Sequence, residues 1–120
     1  AIPQQVVEIC GNIKTRCLSY EELAGETGDI IINCTPVGMY PKTGGSPVTE
    51  AVIKNFGAAA DLIYNPAETE FLRMARICGK TAVNGLLMLA AQAVAAQEIW
   101  QQRKLGTDLA VKIMQRLAEK

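Results

Sequence analysis

Three short segments of this 120-residue chain carry residue types that can hold a ligand. The first is Asn33-Cys34-Thr35-Pro36-Val37-Gly38-Met39. Thr-Pro-x-Gly makes a rigid turn, with a hydroxyl donor at Thr35 and bare backbone at Gly38 for a flat or phosphorylated ligand. A plain exit from a strand into a loop has the same residue types. The second is Asp61-Leu62-Ile63-Tyr64-Asn65-Pro66, with Thr69 beyond. The Tyr64 ring can pack while its hydroxyl reaches into a cleft, or bonds to backbone at a rim. The third is Asn84-Gly85-Leu86-Leu87-Met88-Leu89-Ala90-Ala91-Gln92. Gly85 lets a ligand approach the start of a helix. Gln92 stands alone as a polar residue in an apolar run, and burying an unpaired amide costs roughly 1–3 kcal/mol. A substrate hydroxyl, a backbone carbonyl or a buried water would each serve as its partner.

Other chemistry is excluded. The chain has no histidine, so the commonest general acid–base is missing and a proton must travel through Lys, Asp, Glu or Tyr, or come from elsewhere. Cys10, Cys17, Cys34 and Cys78 form no C-x-x-C pair, which argues against zinc and for small core residues in a reducing cytoplasm. No G-x-G-x-x-G or G-x-x-x-x-G-K-[ST] is present, so the usual pyrophosphate cradle is absent. Twelve basic and twelve acidic residues cancel, which removes the electrostatic case for nucleic acid or an anionic membrane. No apolar run approaches the ~18 residues of a membrane span, and the first ten residues have no signal-peptide pattern.

The elements that must position these segments alternate. Residues 2–9 read as the end of a helix and 14–18 as a weak strand. Ser19 reads as an N-cap with Glu22 three residues on. Residues 29–33 form the clearest strand, a β-branched run expected to be buried on both faces. A loop over 35–47 holds three prolines and three glycines. A short helix at 49–55, a strand at 59–64, a helix at 68–78 and a strand at 80–83 follow. A long helix spans 86–103, and Gly106 separates it from a last helix whose apolar stripe is Leu109, Ile113, Met114 and Leu117. This order predicts an α/β fold with a mainly parallel sheet. Ligands then bind outside the carboxyl ends of the strands.

Taken together, Asn33-x-Thr35-Pro36-x-Gly38-Met39, Asp61-x-x-Tyr64-x-Pro66-x-x-Thr69 and Asn84-Gly85-x-x-Met88-Leu89-x-x-Gln92 resemble the shikimate dehydrogenases. The tail from Glu98-x-Trp100 to Leu117 is also similar to that family's closing helices. The resemblance implies reduction of 3-dehydroshikimate to shikimate with NADPH, in aromatic amino-acid biosynthesis. It implies a Rossmann-like domain beside a substrate domain, with the active site between them. By motif, Thr35, Pro36 and Val37 would lie along the cofactor, Leu62 beside the nicotinamide and Gly85 under the cofactor. Met88 would line the cleft between cofactor and substrate, and Tyr64 and Gln92 would contact shikimate. Leu87 departs from the family, which commonly has glycine there; its bulk bears on cofactor fit.

The resemblance also implies what is missing. The family's catalytic lysine–aspartate pair, glycine-rich loop and 2′-phosphate-reading motif have no counterpart here, so no catalytic residue is assigned. Residues 1–120 read as a truncated nucleotide-binding domain with C-terminal helices, a partial Rossmann-like sheet lacking its first two strands. The isolated chain is expected to be inactive. The strand at 29–33 would have a bare edge, predicting self-association through it, or disorder and relocation of residues 1–20. The last helix would cap the exposed sheet. A quinate/shikimate dehydrogenase and a non-catalytic assembly domain are the alternative readings.

Overall fold

The computed structural model describes residue 11 and residues 13–120; the helix expected at 2–9 lies outside the described residues. Three strands, β1 (Gly28–Asn33), β2 (Phe56–Asp61) and β3 (Thr81–Val83), alternate with helices. The helices are α1 (Tyr20–Leu23), α2 (Glu50–Ile53), α3 (Glu70–Ile77), α4 (Leu86–Gln101) and α5 (Thr107–Ala118). The strands form one parallel sheet in the order β1-β2-β3. Asn33 lies opposite Asp61 and Ala60 opposite Val83, so all three strands end at one edge.

The β-branched run Ile30-Ile31-Ile32 favours extended backbone. Its alternation divides it between two environments. Ile31 packs on the core of Ile53, Ala59, Phe71, Leu72 and Ala75, beneath α2 and α3. Ile30 and Ile32 point the other way and are 58% and 54% exposed. Val83, in register on that second face, is exposed too. Helices α2 and α3 therefore cover one face of the sheet, and the expected burial on both faces is not observed.

Two strand assignments change. Residues 14–18 form no strand: they are exposed and irregular, and the segment is tied down by an ion pair from Arg16 to Glu26. Without a neighbouring strand, the backbone groups of such a segment bond to water instead. The second core strand runs over 56–61 rather than 59–64. Asp61 causes the early stop. Its Oδ1 accepts the Ile63 N–H at 3.0 Å, turning the chain directly after the strand. Tyr64 therefore lies in the loop, three residues past the strand end.

Local capping follows the sequence. Ser19 and Glu22 form a reciprocal capping box on α1. Thr69 caps α3, accepting the Leu72 N–H at 3.3 Å. The long α4 packs on α5 through Ala90, Val94 and Ala110, with Leu105, Leu109, Ile113 and Met114 around them. The predicted stripe on the last helix is thus half-buried at Leu109, Ile113 and Met114, while Leu117 is exposed. Its partner is α4 and not the sheet, because the flat alanine surface of α4 admits a second helix closely.

Phe71 is fully buried at the centre of the sheet core. Phe71→Ala is expected to lower unfolding free energy by about 3–5 kcal/mol. A urea titration followed by circular dichroism measures this.

Candidate functional site

Parallel strands deliver their connecting loops to the same edge, and here two of those loops form the walls of a cavity. The cavity has a volume of about 410 Å³. One wall is Cys34, Thr35, Pro36, Met39 and Tyr40, from the loop after β1. The other is Leu62, Ile63, Tyr64 and Asn65, from the loop after β2. The Tyr40 N–H donates to the Asn65 carbonyl at 3.1 Å and closes the two walls at one end.

A buried polar network fixes these walls. Asn33 and Asp61 face each other across the sheet, 3% and 2% exposed. The Asn33 Nδ2 donates to Asp61 Oδ1 at 3.2 Å and to the Val37 carbonyl at 3.4 Å. The Asn33 Oδ1 accepts the Thr35 N–H at 3.0 Å and the Thr35 hydroxyl at 2.7 Å. The Thr69 hydroxyl donates to Asp61 Oδ2 at 2.7 Å. No buried side-chain polar atom among the described residues lacks a partner.

The geometry corrects the chemistry expected of the first segment. The Thr35 hydroxyl spends its proton on Asn33 and accepts the Val37 N–H at 3.3 Å. It is therefore no free donor, though Thr35 still lines the cavity. Gly38 is buried, with φ +95°, and a Cβ there would lie 2.8 Å from the Gly45 carbonyl oxygen. Its bare backbone serves the loop's own packing rather than a ligand.

The second segment behaves as a wall residue set. Tyr64 is half exposed, and among the described residues its hydroxyl meets no protein partner. Leu62 lines the cavity, and its carbonyl lies against Gly85. The Gly85 N–H donates to the Ile63 carbonyl at 3.0 Å. A Cβ on Gly85 would sit 2.0 Å from the Leu62 carbonyl oxygen, an impossible contact. Gly85 thus lets the β3–α4 turn press against the back of the Leu62 wall. Asn84 holds the same turn, donating to the Ala67 carbonyl at 2.9 Å and accepting the Leu86 N–H at 3.1 Å.

The third segment is only partly brought in. Gly85 touches the wall from behind, but Met88 and Gln92 do not line the cavity. Gln92 is exposed, so the expectation of a buried amide in need of a partner fails. The reason is that α4 buries only the stripe of Ala90 and Val94, and Gln92 falls on another side. Val37 also lies outside the cavity and packs near Gly45. Leu87 lines the groove between α4 and α5 rather than the cavity. Sequence reasoning passed over Tyr40, for which a loop aromatic beside proline was the available signal.

Charge around the site is paired and exposed. A hydrogen bond from Arg76 holds the Glu68 carboxyl below its ordinary range, and one from Arg73 does the same for Glu70. These pairs flank Thr69 and leave the cavity walls uncharged. Among the described residues no group of three potential ligands could hold a metal ion.

A parallel sheet with a walled cavity at its carboxyl edge places the chain among the open α/β folds, in which ligands characteristically bind at that edge. Comparison with known proteins narrows the class. No family model matches the chain. The shikimate dehydrogenase (NADP(+)) of Clostridium beijerinckii is 47% identical over 91 residues, covering 76% of this chain and 34% of that protein. The crystal structure of a chorismate mutase/shikimate 5-dehydrogenase fusion protein from Clostridium acetobutylicum superposes with a TM-score of 0.84. It is 49% identical and covers 98% of this chain and 43% of that one. Shikimate 5-dehydrogenase from Thermus thermophilus, in complex with NADP(H) and shikimate, superposes with a TM-score of 0.73 at 28% identity, covering 93% and 41%. The chain belongs to the shikimate dehydrogenase family and has its Rossmann-like fold. It spans about a third of the length of the curated relatives it matches.

Gly85→Ala forces the Leu62 carbonyl to move and is expected to lower the melting temperature sharply. Gly25→Ala, whose Cβ would meet nothing closer than 3.8 Å, is expected to leave it nearly unchanged. Differential scanning calorimetry of both variants checks the contrast.

Proposed function

We propose that this chain supplies one wall of the active-site cleft of a shikimate dehydrogenase, an NADP-dependent oxidoreductase that reduces 3-dehydroshikimate to shikimate in the cytoplasm. One observation carries the reading: the Thr35-Pro36 and Leu62–Tyr64 segments face each other across a single cavity. The names of the relatives add NADP(+), and the Thermus structure adds both ligands. The free thiols of Cys17, Cys34 and Cys78 fit a reducing compartment.

The uncharged walls suit the flat nicotinamide, which supplies hydride to the substrate ketone. In this reading Thr35, Pro36 and Leu62 border the cofactor, Val37 and Met88 stand beyond the cavity along its path, and Gly85 supports the Leu62 wall from behind. The Tyr64 hydroxyl, which meets no partner among the described residues, and the exposed Gln92 amide meet the oxygens of shikimate. We assign the proton donor to no residue of this chain, and turnover requires the other wall of the cleft.

Nuclear magnetic resonance titration tests this. NADPH is expected to shift the Thr35 and Leu62 amides with weak affinity, because no pyrophosphate cradle is present. Shikimate is expected to shift Tyr64. Tyr64→Phe should weaken shikimate about tenfold, the worth of one hydrogen bond, and leave NADPH unchanged. Submicromolar NADPH affinity, or shifts on another face, would overturn the reading.

The same 120-residue chain is proposed to self-associate through β1. Among the described residues its outer edge pairs with no strand. Ile30 and Ile32 beside it are exposed, and a net charge of zero offers no repulsion between copies. Light scattering is expected to give a mass above the 12.9 kDa monomer, reduced by Ile32→Lys. A clean monomer at high concentration rejects this association.

A further inference from the structure

We infer that Asp61 is a positioning residue for ligand binding: its buried carboxylate sets the separation of the two cavity walls. The inference rests on the functional reading above for the identity of the ligands, and on geometry for everything else. Asp61 is fully buried, and among the described residues it pairs with no lysine or arginine. Three donors from three segments converge on it instead. Asn33 Nδ2 arrives from the end of β1 at 3.2 Å, the Ile63 N–H from the second wall at 3.0 Å, and the Thr69 hydroxyl from the cap of α3 at 2.7 Å.

Each donor leads somewhere. Asn33 grips Thr35 through two hydrogen bonds and so holds the first wall. The Ile63 amide lies between Leu62 and Tyr64 and so holds the second. Thr69 anchors the arrangement to the core helix α3, whose Phe71 is immobilised in the sheet core. A carboxylate with two oxygens can accept all three bonds at once, whereas a hydroxyl or a single carbonyl cannot. Low dielectric strengthens such bonds and makes loss of one member costly. One group thus fixes both walls relative to each other, though it lines neither.

Three variants separate positioning from simple stability. Asp61→Ala removes the common acceptor. Asn33→Ala cuts the whole arm to the first wall, its bonds to Asp61, Thr35 and Val37 together, and leaves the Ile63 and Thr69 bonds to Asp61. Asp61→Asn is conservative, since its amide oxygen serves Asn33 and Ile63 and its NH2 can donate to a rotated Thr69 hydroxyl. NADPH and shikimate are titrated into the 120-residue chain by nuclear magnetic resonance, and amide hydrogen exchange is recorded at Thr35 and Ile63.

Asp61→Ala is expected to weaken both ligands about tenfold or more, and to speed exchange at both amides. Asn33→Ala should weaken NADPH alone and speed exchange at Thr35 alone. Asp61→Asn should restore both affinities to near the original. Ile53→Val, in the sheet core and outside both the network and the cavity lining, serves as the stability comparator: it should lower the melting temperature and leave both affinities. If Asp61→Ala lowers the melting temperature without changing affinity or exchange at the two walls, the inference is overturned. If Asp61→Ala does not fold, the contrast between Asn33→Ala and Asp61→Asn decides. Should the original chain bind neither ligand, the functional reading falls, and the paired exchange response alone decides whether Asp61 sets the walls.

Discussion

A carboxylate buried without a cation is tolerable only when its oxygens are met by donors. Asp61 satisfies this by drawing donors from three separate stretches of chain. The requirement runs both ways. Asn33 must reach across from the neighbouring strand, which fixes the parallel register at the site edge. The chain must fold back after β2 to offer the Ile63 amide, which ends the strand early. Thr69 must stand at the start of α3, which sets where that helix begins. Strand end, loop and helix start are thus solutions to one desolvation problem.

Much of this architecture was readable from residue types. The Ile30-Ile31-Ile32 run, the Ser19–Glu22 capping box, the proline-rich loop and the Gly106 break each produced the expected element near the expected place. These signals are local: they depend on propensity, capping and breakers within a few residues. The strand expected at 14–18 depended on a neighbour, and propensity says nothing about whether one exists. The second strand was misplaced by three residues because Asp61 read as part of a strand, while its side chain stops one.

The candidate site was legible as a set of segments but not as a set of roles. The Thr35 and Tyr64 segments do share a cavity. Thr35, however, gives its proton to Asn33, and the Gly38 and Gly85 backbones meet carbonyls of the same chain rather than open space. A glycine motif marks close approach, and sequence alone does not say by what. Gln92 shows the same gap for a helix: an apolar run does not reveal which stripe a partner covers. Only Ala90 and Val94 of α4 are buried.

Among the described residues there are two hydrophobic cores that share no residue, one under the sheet and one between α4 and α5. They join at the turn where Gly85 backs onto Leu62. Cooperative units of a fold follow such divisions. The sheet core and the helical hairpin are thus each stabilised by their own side chains, and the short turn that links them runs directly behind the Leu62 wall of the cavity.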